Sequence, residues 1–218
     1  MSTASAAVST SATDHSFLLR KLHSLSGVVP VGAFLVQHIY AQVLALKGPD
    51  AYNAHVAFLV SIPFLVAVET LFIFGPILFH GGYGIYIWYR GESNVTDYPW
   101  VGNWLYFWQR VSGIIAFVYI GYHLWEQRFT GEHLASHPEL AYGKVSHALQ
   151  NPLILAFYAV GMIAACFHFG YGLWLFGCKW GITMGPRSQK ISGVLCGSVG
   201  AGLCAAGLVS MMSIYIHP

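Results

Sequence analysis

Long apolar runs, each closed by a short polar or glycine–proline cluster, dominate the chain. They fall at about 25–46, 61–88, 105–127, 152–178 and 191–216. Crossing a bilayer's hydrocarbon takes about 20 apolar residues in helical form, so the pattern predicts five membrane-spanning helices. Their ends are marked by Lys47-Gly48-Pro49, Arg90-Gly91-Glu92, Arg128 to Asn151-Pro152, and Lys179 to Lys190. Pro30, Pro63 and Pro76 lie in or near spans, where neighbouring helices can satisfy the carbonyls that proline frees. Trp100, Trp104, Trp108, Trp125 and Trp180 cluster near span ends, as interfacial aromatics do. Residues 1–16 are rich in Ser, Thr and Ala. They lack the basic patch and apolar core of a cleaved signal peptide and read as a mobile tail. Residues 17–218 then form one all-α, five-helix membrane domain.

Composition agrees with the pattern. The 218 residues include 10 Lys and Arg and 8 Asp and Glu, so 8% are charged, while 56% are hydrophobic. A soluble domain carries about 25% charge. An ordinary soluble domain, a disordered chain and a nucleic-acid binder are thereby excluded. The net charge of +2 is too small to inform, but its distribution is not. With the N-terminus inside, the inner segments hold Arg20, Lys21, Arg90, Arg110, Lys179, Arg187 and Lys190, against Lys47, Arg128 and Lys144 outside. Basic residues concentrate on the cytoplasmic side of membrane proteins, so the N-terminus is expected inside and the C-terminus outside. Cys166, Cys178, Cys196 and Cys204 lie in or beside apolar runs, with no C-x-x-C-H and no iron–sulfur cluster spacing. The fifth span repeats Gly193, Gly197, Ala201 and Ala205 every four residues, a stripe that lets another helix approach closely.

Each of the first four spans holds one histidine: His38, His80, His123 and His168. An imidazole in hydrocarbon is costly and needs a partner, and one per helix on four helices points to ligands. Two features pair them. His80-Gly81-Gly82-Tyr83-Gly84-Ile85-Tyr86-Ile87-Trp88 matches His168-Phe169-Gly170-Tyr171-Gly172-Leu173-Trp174-Leu175-Phe176. A looser match joins Leu25-Ser26-Gly27…His38 to Val111-Ser112-Gly113…His123. Depth sorts them the same way. At about 1.5 Å per residue, His80 and His168 lie about 15–17 Å from Arg90 and Lys179, and His123 and His38 about 20–26 Å from Arg110 and Lys21.

Two histidine pairs on facing helices suit two b-type haems, each with imidazole on both axial positions. That leaves no open site for dioxygen and favours electron transfer. Gly84 and Gly172 each follow their histidine by four residues, on the same helix face. They either make room for a flat macrocycle or allow close helix packing. A zinc site fits less well, since each pair lacks the usual four ligands. Glu69 is the one acid deep in a span, 11 residues before His80. On an unbroken α-helix it shares the face of His80, either as a proton relay or as a protonated carboxyl bonded to a backbone carbonyl. Glu132, His133, His137 and Glu139 read as a solvated loop. His23, His55 and His147 lie at span edges, where histidines need no function.

Taken together, these residues resemble the cytochrome b subunit of succinate:quinone oxidoreductases, of the single-chain, five-helix, two-haem type. The resemblance runs from about Phe17 to Ile191. It rests on Arg20-Lys21-Leu22-His23-Ser24-Leu25-Ser26-Gly27, Gln37-His38, Phe79-His80-Gly81-Gly82-Tyr83-Gly84 and Gln109-Arg110-Val111-Ser112-Gly113. Further carriers are Tyr122-His123, Phe167-His168-Phe169-Gly170-Tyr171-Gly172, Trp180-Gly181-Ile182-Thr183 and Pro186-Arg187-Ser188-Gln189. It implies an anchor in a bacterial cytoplasmic membrane for an FAD-containing flavoprotein and an iron–sulfur subunit. Electrons would pass between succinate or fumarate and a membrane quinone, typically menaquinone. By position it implies His80 and His168 as ligands of the proximal haem and His38 and His123 of the distal haem. It also implies Lys179 beside a proximal haem propionate.

Two positions depart from fumarate-reducing relatives. Cys166 stands where some carry a proton-transferring Glu. The stretch Asp50-Ala51-Tyr52-Asn53-Ala54-His55 stands where some carry a Glu beside the quinol, making Asn53 and His55 the candidate quinone residues. Two other classes remain open: the cytochrome b of a hydrogenase or formate dehydrogenase, and a haem-free structural anchor or transporter.

Overall fold

The computed structural model describes residues 10–131 and 133–218. Residues 1–9 of the expected tail, and Glu132, lie outside the described residues. From Thr10 onward the chain is helical, and no strand occurs among the described residues.

The first apolar run folds as α1 (Thr10–Val28) and α2 (Pro30–Val43), extended by a 3₁₀ turn at Leu44–Lys47. Pro30 lacks an N–H and its ring crowds the preceding turn, which divides the run while leaving it one continuous rod. A short helix, α3 (Pro49–Val60), follows. Gly48, at φ 97°, makes the turn into it, a backbone that glycine adopts without steric penalty. The second run begins later than its apolar pattern suggests. Phe64 takes a left-handed backbone (φ 56°) ahead of α4 (Leu65–Glu69), a π-helical stretch covers Thr70–Phe74, and α5 (Gly75–Arg90) completes the crossing.

Next come α6 (Val101–Phe129), α7 (Ala141–Leu149), α8 (Pro152–Lys179) and α9 (Pro186–Ile216). The Asn151 side chain caps α8 by accepting from Leu153 N at 3.0 Å, with Pro152 at the first helical position, where its missing N–H costs nothing. Among the described residues, four helices are long and apolar enough to cross a membrane: Ser16–Lys47, Leu65–Arg90, Pro152–Lys179 and Pro186–Ile216. Helix α6 has 29 residues but is more polar, with Arg110, Glu126 and Arg128 on it.

Helix α8 packs along α6 and α9, and α1 along α5 and α8. One end of the bundle is basic. There Lys21 Nζ donates to Lys179 O at 2.8 Å and lies over the Trp180 ring, while Arg110 donates to Trp88 O at 2.6 Å and to Gly91 O at 3.2 Å. The opposite, far end is sealed by a buried cluster including Tyr52, Tyr119, Tyr142, Leu149, Tyr158, Met211 and Ile214.

The small-residue stripe of the last helix packs differently from the sequence expectation. A Cβ on Gly200 would lie 2.8 Å from Cys166 O, and one on Gly207 2.7 Å from Met162 Sδ, whereas one on Gly197 meets nothing. Ala201 and Ala205 are exposed. The face that α8 fills therefore recurs every seven residues, at Gly193, Gly200 and Gly207, because seven residues return a helix to nearly the same side.

Candidate functional site

The four span histidines meet in two pairs. His80 from α5 and His168 from α8 face each other with ring centroids 6.0 Å apart and planes 85° apart. His38 from α2 and His123 from α6 stand 5.6 Å apart with planes at 69°.

The His80–His168 pair lies toward the basic end and is built twice from one pattern. His80 Nδ1 donates to His23 O at 2.8 Å and has Ser26 Oγ 3.5 Å away. His168 Nδ1 donates to Gln109 O at 2.9 Å and has Ser112 Oγ 3.5 Å away. Gly27 and Gly113 complete the pattern. A Cβ on Gly113 would sit 2.7 Å from His168 Cε1, and one on Gly27 would collide with the His80 ring. The loose Ser-Gly repeat of the sequence is thus the seat of the histidines from the other repeat. Spacing shows which residues recur, not which helix they touch.

Gly84 and Gly172 stand where side chains of neighbouring helices come close. Cβ atoms there would meet His23 Nε2 at 3.2 Å and Gln109 Nε2 at 3.3 Å. The His23 ring, expected to be an incidental edge residue, stacks on His80 with centroids 4.1 Å apart.

At the far end the support is different. His123 Nδ1 lies 3.2 Å from Tyr158 Oη, and Tyr158 donates to Glu126 Oε2 at 2.9 Å. Glu69 is neither alone nor bonded to a backbone carbonyl. It forms an ion pair with Arg128 at 2.8 Å, the side chains being 17% and 36% exposed respectively. The π-helical stretch Thr70–Phe74 lies between Glu69 and His80 and breaks the 100° count that placed both on one face.

Asn53 is occupied. Its Nδ2 donates to Glu139 O at 2.6 Å, and its Oδ1 accepts from Tyr142 N at 2.9 Å, so both ends of the amide clasp the far-end loop. His55 Nε2 lies 3.5 Å from Gln37 Nε2. In the same loop, the Glu139 backbone N–H and then His137 hold the Glu139 carboxyl below the usual carboxylate range. Cys166 is fully buried where α8 crosses α9. Lys179 is exposed at the end of α8.

Residues 93–210 match the family described as succinate dehydrogenase/fumarate reductase transmembrane subunit. The chain is also 42% identical over 176 residues to the succinate dehydrogenase cytochrome b558 subunit of Bacillus subtilis (strain 168), spanning 81% of this chain and 86% of that relative. The chain belongs to this family. It is a cytochrome b membrane anchor of a succinate:quinone oxidoreductase, and the family's prosthetic group is haem b.

The residues of this cytochrome b subunit fit such a group. Two metal–nitrogen bonds of about 2 Å, plus about 1 Å from each nitrogen to its ring centre, span about 6 Å, against the 6.0 and 5.6 Å between paired rings. Three of the four rings have Nδ1 within hydrogen-bonding distance of a protein oxygen, which leaves Nε2 as the ligating nitrogen. Arg110 Nε is a buried donor without a partner, the chemical complement of a porphyrin's acidic edge.

Proposed function

We propose that this subunit holds two haems b, one between His80 and His168 and one between His38 and His123, and carries electrons between an iron–sulfur subunit and a membrane quinone. The observation that carries the reading is the convergence of four imidazoles, from four different helices, as two facing pairs. A bis-imidazole haem supplies reversible one-electron transfer. The chain's part is to hold each imidazole in one tautomer and to exclude water. The carbonyls of His23 and Gln109 do the first at the basic-end pair.

Helix α6 is the fifth crossing. At 29 residues it is about 43 Å long. Its polar side chains are engaged with the protein: Gln109 donates to His168 O at 3.0 Å, Arg110 to Trp88 O, and Arg128 pairs with Glu69. Five crossings leave the termini on opposite sides, and the excess of Lys and Arg at the basic end supports its lying, with the N-terminus, on the cytoplasmic side of a bacterial inner membrane. In this reading the iron–sulfur subunit, with its FAD-containing flavoprotein, docks there beside Arg20, Lys21 and Lys179, and Lys179 is the candidate partner of a haem propionate.

The quinone, menaquinone or another, reacts at the far end, since a second haem is superfluous if electrons leave beside the first. An open surface depression of about 820 Å³ lies there, lined by residues including Val60, Phe64, Val66, Thr70 and Arg128. Asn53 and His55 frame this end. Glu69, whose ion-pair partner Arg128 is one of the lining residues, is the candidate proton relay, and Glu69→Gln is expected to slow quinone turnover with both haems retained. Normal turnover would remove that role.

The reading is tested by haem content and redox titration of the complex. His80→Ala and His168→Ala should delete one spectral component, and His38→Ala and His123→Ala the other. Deletion of one and the same component by His80→Ala and His38→Ala would overturn the pairing.

A further inference from the structure

The two histidine pairs are supported by different chemistry. At the basic end, both Nδ1 atoms bond to neutral backbone carbonyls, those of His23 and Gln109. At the far end, His123 Nδ1 meets a buried phenol, Tyr158, whose hydroxyl donates to Glu126 Oε2 at 2.9 Å. A phenol has one proton. With that proton committed to the carboxylate, the Tyr158 oxygen can only accept, and at 3.2 Å it accepts from His123 Nδ1–H. The donors therefore point one way along the chain, from imidazole to phenol to carboxylate.

Three contacts fix this arrangement. Tyr158 is 6% exposed and stands edge-on to His123, ring centroids 5.6 Å apart, and edge-on to Tyr119 at 5.3 Å. Gln127 Nε2 donates to the same Glu126 oxygen, holding the carboxylate in place. Glu126 lies on α6 and Tyr158 on α8, so the chain ties together the helix that carries His123 and its neighbour.

We propose that Tyr158 and Glu126 are positioning residues for the far-end haem, polarising His123 so that this iron is held at a lower reduction potential than carbonyl-supported imidazoles alone would give. The inference rests on the two-haem reading above. A carboxylate behind a ligand histidine raises the ligand's basicity, and a more basic axial ligand favours the oxidised, more positive iron. Hydrogen-bonded chains also strengthen one another in a low-dielectric interior. Among the described residues the basic-end pair has backbone carbonyls in place of a carboxylate, and it serves as the internal control.

The test is a redox titration of the purified complex, following both haems by their visible absorption, for Tyr158→Phe, Glu126→Gln and the double variant. Two titrating components in the unaltered complex establish the two-haem reading independently. Given those, each single variant should raise the far-end potential by about tenfold in the reduction equilibrium, about 59 mV for one electron, and leave the basic-end potential in place. The double variant should shift no further than Tyr158→Phe, because the carboxylate acts through the phenol. Additive shifts would overturn the relay and leave Glu126 as a through-space charge. Unchanged potentials would overturn it outright. Loss of the far-end haem alone in both variants would support a positioning role on His123, and loss of both haems would overturn it by showing that these residues hold the bundle.

Discussion

At the residue scale, two glycines set how closely neighbouring helices approach the His80–His168 pair. Gly27 and Gly113 let α1 and α6 come within contact of the His80 and His168 rings. Placing a methyl there forces the ring, the helix or both to move, and overpacking of this kind costs about 1–3 kcal/mol. Gly27→Ala and Gly113→Ala are each expected to deplete the basic-end haem and spare the far-end one. Pyridine haemochrome quantification with low-temperature absorption spectra checks this. Retention of both haems at full occupancy would show that the seats relax freely. Gly82, where a Cβ meets nothing, is the matched control, and Gly82→Ala should keep both haems.

At the element scale, the crossing of α8 and α9 is set by backbone contact. A Cβ on Gly170 would lie 3.1 Å from Gly200 Cα, and Gly200 is buried. Gly200→Leu puts a branched side chain into that contact and should spread the two helices. The expected result is lower thermal stability of the detergent-solubilised complex and weaker haem retention, since α8 carries His168. Gly197→Leu on the exposed face should behave as the parent protein. Equal effects at the two positions would mean that the outward face is also packed in the complex. The irregular entry to the second crossing is the other decisive element. The left-handed Phe64 and the π-helical Thr70–Phe74 rephase that helix, and Glu69 pairs with Arg128 on a different helix.

At the scale of the whole molecule, the proposed orientation rests on the distribution of Lys and Arg. Single cysteines introduced in the 91–100 and 181–185 loops, in an otherwise cysteine-free chain, are expected to be shielded from a membrane-impermeant maleimide in intact cells. Those in the 131–137 loop should label. The opposite pattern would invert the proposed topology and move the docking face with it. The same asymmetry separates the two histidine pairs, one beside the basic end and one beside the tyrosine-rich far end.

The sequence alone determined the all-helical membrane character, because about 20 apolar residues in a row have few other fates in water or lipid. It also determined which histidines pair, because the His-x-x-x-Gly repeat and the spacing from basic anchors are one-dimensional facts. Tertiary structure decided everything that depends on contact between helices. Ser26 with Gly27 and Ser112 with Gly113 recur visibly in the sequence, yet only packing shows that each seats a histidine from the other repeat. Asn53 reads as a candidate quinone residue, and folding commits both ends of its amide to the far-end loop. Glu69 reads as a lone acid on the face of His80, and a π-helical stretch together with Arg128 changes both its direction and its charge environment. Tyr158 and Glu126 carry no signal at all in sequence, because a hydrogen-bonded chain across α6 and α8 depends on side-chain directions that periodicity does not record.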